Sequence, residues 1–183
     1  MDKNSKGTMS EYFMEAGRKI QISNVLETNR YTEKFGLTLT PEDVELLVAE
    51  QKQTLKEQKR VEFSESILPK IIYEFCDSDY ITMDNYTETI IRLQEIFYHY
   101  KNEMLDEITD TELLHFMKEQ FETVCSGDPE YLEGTCLNIF AQAIRAGYRG
   151  YEGSDGYAEY EQFDEVQRWD REVYLYTLYE LLS

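Results

Sequence analysis

The chain is poor in residues that many enzymes and extracellular scaffolds depend on. It has two histidines, three cysteines, three prolines and one tryptophan in 183 residues. Two histidines restrict catalysis, and no Ser-His-Asp or Cys-His arrangement has recognisable local context. Cys76, Cys125 and Cys136 are an odd number without a CxxC spacing. That pattern suits reduced, buried thiols in a cytoplasm rather than a disulfide framework, although one disulfide stays open in principle. No apolar run approaches the roughly 20 residues that span a bilayer. The opening MDKNSKGTMSEYF has no apolar stretch of a secretory signal, so a soluble cytoplasmic protein is expected. P-loop and dinucleotide fingerprints are absent. Basic clusters are scarce too. The densest, Lys52, Lys56, Lys59 and Arg60, is diluted by glutamates, so direct nucleic-acid binding is disfavoured.

What the chain does have is acid, placed unevenly. The first 60 residues carry 10 acids and 10 bases, and residues 61–183 carry 27 acids and 8 bases, which is the whole formal charge of −19. Such a field repels nucleic acid and anionic membrane and attracts basic surfaces, among them those built to hold DNA or RNA. A hydrophobic fraction of 42% with 15 tyrosines and nine phenylalanines marks a folded chain rather than a disordered acidic one.

The periodicity is helical almost throughout. Tyr86, Ile90, Leu93, Phe97, Tyr100 and Met104 step by four and three alternately and predict a helix over about 85–105, with Ile91, Tyr98 and Leu105 widening the stripe. A second helix from about Thr109 buries Leu113, Met117, Phe121 and Val124 and stops at Ser126-Gly127. A third, after Asp128-Pro129-Glu130, uses Leu132, Cys136, Ile139, Phe140 and Ala143 and ends at Gly147. Thr40-Pro41-Glu42-Asp43 opens a helix over about 41–59. Others are expected over about 10–27, 65–76 and 164–182. The fold class is therefore all-α, a helical bundle or orthogonal array of about seven helices. The main helical domain spans 1–147, and 148–183 form an acidic Gly/Tyr-rich loop plus a C-terminal helix. The long stripe also suits a homodimer, but an intramolecular core is the favoured reading.

The segment GYRGYEGSDGY (147–157) breaks the helical pattern with glycines at every third position. It reads as an exposed loop in which acids and aromatics alternate, a composition suited to binding. The candidate partner-binding residues there are Tyr151, Glu152, Asp155, Tyr157, Glu159, Tyr160, Glu161, Asp164 and Glu165. Asp77, Asp79 and Asp84 form a second acidic cluster. That cluster lacks the twelve-residue calcium loop, and Asp77 beside Cys76 raises rather than lowers a thiol pKa. Glu112 and His115 have the Glu-x-x-His spacing of di-iron bundles, echoed weakly by Glu95 and His99. A matching second copy is missing, so no catalytic, metal or cofactor residue is assigned.

Residues 61–134 (VEFSESILPKIIYEFCDSDYI, DNYTETIIRLQEIFYHYKNEML and ELLHFMKEQFETVCSGDPEYLEGT) resemble a poorly characterised helical family of bacterial genomes and mobile elements. The chain as a whole resembles anti-CRISPR proteins that inhibit type II Cas9 effectors. The resemblance implies a non-enzymatic inhibitor that binds Cas9 or its guide-RNA complex in a bacterial host cell and blocks target-DNA binding or cleavage. Cas9 holds its heteroduplex in a cationic channel. A DNA mimic would present carboxylates where phosphates lie, each able to meet an arginine in a bidentate pair. The alternative is an acidic helical adaptor or assembly protein whose charge only keeps it soluble.

Overall fold

The computed structural model describes residues 9–62 and 66–147, and these residues are helical with no strand among them. The elements are α1 (Met9–Glu27), α2 (Asn29–Thr32) with a 3-10 turn at Glu33–Phe35, α3 (Pro41–Glu57), α4 (Ile67–Phe75), α5 (Tyr86–Glu103), α6 (Asp110–Thr123), α7 (Pro129–Tyr131), a π-helical stretch (Leu132–Leu137) and α8 (Asn138–Arg145). The helix expected over 164–182 and the whole 148–183 segment lie outside the described residues.

Local chemistry fixes the helix starts. Thr40 Oγ1 accepts from Asp43 N at 3.1 Å, and Asp43 Oδ2 accepts from Thr40 N at 2.9 Å, a complete capping box ahead of Pro41. Hydrogen bonds from Thr40 hold the Asp43 carboxyl below its ordinary value. Thr109 and Glu112 repeat the box on α6, at 3.2 and 2.6 Å. Asp128 Oδ1 accepts from the Glu130 and Tyr131 amides ahead of α7. Removing the Thr109 hydroxyl (Thr109→Ala) should cost about 1 kcal/mol in urea denaturation, because the side chain is exposed and contributes mainly through the cap. An unchanged midpoint would contradict that role.

α5 is the central element and packs against α3, α4, α6, α7 and α8. Its stripe of Tyr86, Ile90, Leu93, Phe97, Tyr100 and Met104 is buried along its whole length. It packs on α4 and α6, where Ile67, Leu68, Ile71, Ile72 and Phe75 and Leu113, Met117 and Phe121 are all buried. Each such side chain contributes roughly 1.5–3 kcal/mol of burial. Phe75 and Phe121 meet edge to face at 5.6 Å between ring centroids.

Two residues expected on these stripes lie outside them. Leu105 is 74% exposed, because it and Asp106 both take left-handed backbone angles (φ 53° and 58°) and the chain leaves α5 at Glu103. Arg60 grips Asp106 from the α3 end at 2.7 and 3.1 Å, and the buried Lys101 donates to the Ile108 carbonyl at 2.7 Å. Val124 is 43% exposed as the C-terminal cap of α6.

The third helix of the acidic half is also less regular than its sequence pattern. Its π-helical stretch coincides with a hydrogen bond from the buried Tyr100 hydroxyl to the Glu133 carbonyl, which gives that carbonyl a partner from outside the helix. None of the three cysteines forms a disulfide, and all are buried. Cys125 Sγ lies 3.5 Å from Cys136 Sγ, a hydrogen-bonding distance. The Cys125 thiol is pushed up by that contact and by burial. Burial, then Asp77, pushes up Cys76.

Candidate functional site

α4 and α6 pack against each other, and an open groove lies on their outer face. It is open to solvent, has a volume of about 560 Å³ and is lined by Tyr73, Glu74, Asp77, His115, Lys118, Glu119, Glu122 and Thr123. The α6 members recur at steps of three and four, so they share the helix face opposite Leu113, Met117 and Phe121. Four carboxylates stand there against one lysine.

Lys118 holds the groove floor. Its ammonium lies 2.6 Å from Asp77 Oδ1, 2.7 Å from Glu122 Oε1 and 5.7 Å from the centroid of the buried Phe75 ring. Burial pulls its pKa down, but the hydrogen bonds it donates to Asp77 and Glu122 outweigh that and raise it. The hydrogen bond from Lys118 in turn holds Asp77 below the ordinary carboxylate range. His115 Nδ1 is 3.6 Å from Glu74 Oε1. Glu119 is exposed and has no ion pair among the described residues.

Tyr73 joins the groove to an aromatic patch that sequence patterning alone did not reveal. Tyr31 meets Phe35 at 5.8 Å and Tyr73 at 5.6 Å between ring centroids, both edge to face. All three rings are substantially exposed, between 40% and 46%. Lys34 folds back over them, with Nζ 3.5 Å from the Tyr31 centroid and 4.7 Å from that of Phe35. The only sequence signal was weak: Tyr73 stands off the Ile67-Ile71-Phe75 stripe of α4.

Of the acidic cluster named from sequence, Asp77 lines this groove. Asp79 and Asp84 lie exposed on the α4–α5 loop with no ion pair among the described residues. Tyr151, Glu152, Asp155, Tyr157, Glu159, Tyr160, Glu161, Asp164 and Glu165 lie outside the described residues. The metal-like pairs are engaged elsewhere: Glu112 caps its own helix, and Glu95 pairs with Arg92 at 2.6 Å. Among the described residues no group of three His, Cys, Asp or Glu side chains could hold a metal.

The acidic surplus is partly compensated within the fold. Arg92 meets Glu95, Glu130 and Glu133 at 2.6, 2.7 and 2.9 Å. Lys70, Lys101, Lys118 and Arg145 each pair with at least one carboxylate. Thus every described base beyond Arg60 is paired. The carboxylates left over include Asp79, Asp84 and Glu119, on the groove and the adjacent loop.

Residues 24–150 match a family of unknown function, DUF6323, and the chain belongs to that family. None of the curated proteins and none of the solved structures matches it. No helix among the described residues is long and apolar enough to cross a membrane.

Proposed function

We propose that this protein is a non-enzymatic binding protein that offers the α4–α6 groove and its acidic loop to a basic surface of a nucleic-acid-handling protein. The observation that carries the reading is the groove itself: four carboxylates against one lysine, walled at one end by the exposed Tyr73 ring and continuous with Tyr31 and Phe35. Carboxylates supply long-range attraction that fades with salt. Exposed tyrosines supply short-range contacts that salt does not screen. Such a pairing suits a groove or channel rich in arginine and lysine. A Cas9 effector, alone or with guide RNA, is the specific partner that the resemblance of the whole chain to anti-CRISPR proteins suggests, and its inhibition is the specific outcome.

The test uses guide-loaded Cas9, at low salt, with the whole protein in excess. Target-DNA binding and cleavage should both fall. Reversing the uncompensated acids together (Asp79→Lys, Asp84→Lys and Glu119→Lys) should weaken binding at least tenfold and flatten its salt dependence. These side chains are exposed, so the fold should survive. If wild-type protein leaves binding and cleavage untouched, Cas9 is not its partner.

The internal pairing of Lys70, Arg92, Lys101, Lys118 and Arg145 favours a second reading, an acidic helical adaptor whose charge is partly compensated within its own fold and otherwise keeps it in solution. Under it the triple reversal would leave binding of the protein's natural partner almost unchanged.

A further inference from the structure

We propose that Tyr31, Phe35 and Tyr73 form an aromatic seat for a lysine or arginine side chain of the partner, and that Lys34 occupies this seat until the partner arrives. The three rings come from α2, the 3-10 turn and α4, pack edge to face, and belong to exposed residues. The negative face of an aromatic ring attracts a cation. Here it already holds one: Lys34 Nζ stands 3.5 Å from the Tyr31 centroid, with Phe35 as a second wall at 4.7 Å. Lys34 is itself exposed, so leaving the rings costs it little burial.

The chemistry around the seat selects the sign of its ligand. Tyr73 belongs to both the aromatic patch and the acidic groove, so the patch adjoins the groove that Glu74 and Asp77 line. A side chain with a long apolar stem and a charged tip fits this sequence of surfaces, stem on tyrosine and tip toward carboxylate. An anionic or purely apolar ligand would gain nothing from the groove. That the cation belongs to a protein follows from the basic partner proposed above. That the rings take a cation at all does not depend on it.

The experiment is an NMR titration of the full-length chain with labelled tyrosine and phenylalanine rings. The probes are Nα-acetyl-arginine amide, Nα-acetyl-lysine amide and an arginine–glycine repeat peptide. Saturable shifts should be confined to Tyr31, Phe35 and Tyr73. They should saturate at about two- to five-fold lower probe concentration in Lys34→Ala, the size of one exposed cation–π contact. The combination of Tyr31→Leu and Tyr73→Leu should abolish them. Rings that stay unshifted in both wild type and Lys34→Ala overturn the seat, and so does a response that survives the double leucine variant. If that variant fails to fold, the Lys34→Ala comparison decides: equal affinities overturn the displaced-lysine mechanism. A repeat peptide that binds without shifting the rings overturns the seat but preserves the basic-partner reading. Capped arginine that binds the rings, with no basic protein bound anywhere, supports the seat and removes that reading.

Discussion

Replacing Gly127 with alanine should destabilise the protein by about 2–5 kcal/mol, one of the largest effects of any single methyl group added to this fold. The residue sits just past α6 with φ of 81°, a left-handed conformation that costs an L-residue about 1–2 kcal/mol. The space around it is also closed. A Cβ at Gly127 would lie 2.4 Å from Tyr80 Cβ and 2.5 Å from Tyr80 Cγ. Tyr80 cannot swing away, because the clashing Cβ is fixed to its backbone, so overpacking adds about 1–3 kcal/mol. Its ring meets the buried Phe121 edge to face at 6.2 Å, and Phe121 meets Phe75. Displacing Tyr80 therefore disturbs the α4–α6 packing that supports the groove. Gly134 is the control: it lies in the π-helical stretch with nothing within 4 Å of a built Cβ. Gly134→Ala should be neutral or stabilising by up to about 1 kcal/mol. Paired urea curves settle the matter, and a loss below about 1 kcal/mol at Gly127 would show that the Tyr80 contact is loose.

The sequence made this contact invisible, and the reason separates what was legible from what was not. Ser126-Gly127 reads as a helix stop from local chemistry alone. That the stop must be glycine depends on Tyr80, which lies far away along the chain. The α5 stripe was legible because its periodicity is a property of one helix, and the caps at Thr40 and Thr109 because each closes within four residues. The aromatic patch was not, since Tyr31, Phe35 and Tyr73 lie on three elements that share no pattern. Net charge was legible as a sum, but pairing was not: nothing local announces that Arg92 meets Glu130 and Glu133 from another helix. Tyr98 shows the limit most clearly. Its spacing marks it as a core residue, and its ring is buried, but its hydroxyl serves a polar network that the periodicity does not encode.

That network supports the second large prediction, Glu62→Ala, with an expected loss of about 2–4 kcal/mol. The Glu62 carboxylate, beside the start of α4, accepts from the Tyr98 hydroxyl of α5, from Gln51 Nε2 of α3 at 3.0 Å and from the Ile67 amide of α4 at 3.0 Å. Gln51, only 1% exposed, also donates to Tyr98 Oη at 2.8 Å and Ser66 Oγ at 3.0 Å. Truncating Glu62 leaves these donors facing a gap between three helices. Burial pushes the Glu62 carboxyl above its ordinary value of 4.5, against the hydrogen bonds from Tyr98 and Ile67; Asp110 adds to the rise and Lys70 opposes it. A carboxyl raised in the folded state holds its proton more tightly there than in the unfolded chain. Its contribution to stability is thus complete below about pH 4.5 and declines as pH rises through the folded value. Asp77 and Asp106, held low by Lys118 and Arg60, act in the opposite direction, losing their contribution as pH falls. Because wild type and Glu62→Ala share those aspartates, the difference between their unfolding free energies isolates Glu62. It should shrink from pH 4 to pH 7. A difference that stays level or widens over that range would mean the three donors, not burial, govern this carboxyl, and that Glu62 is held as a fully compensated anion.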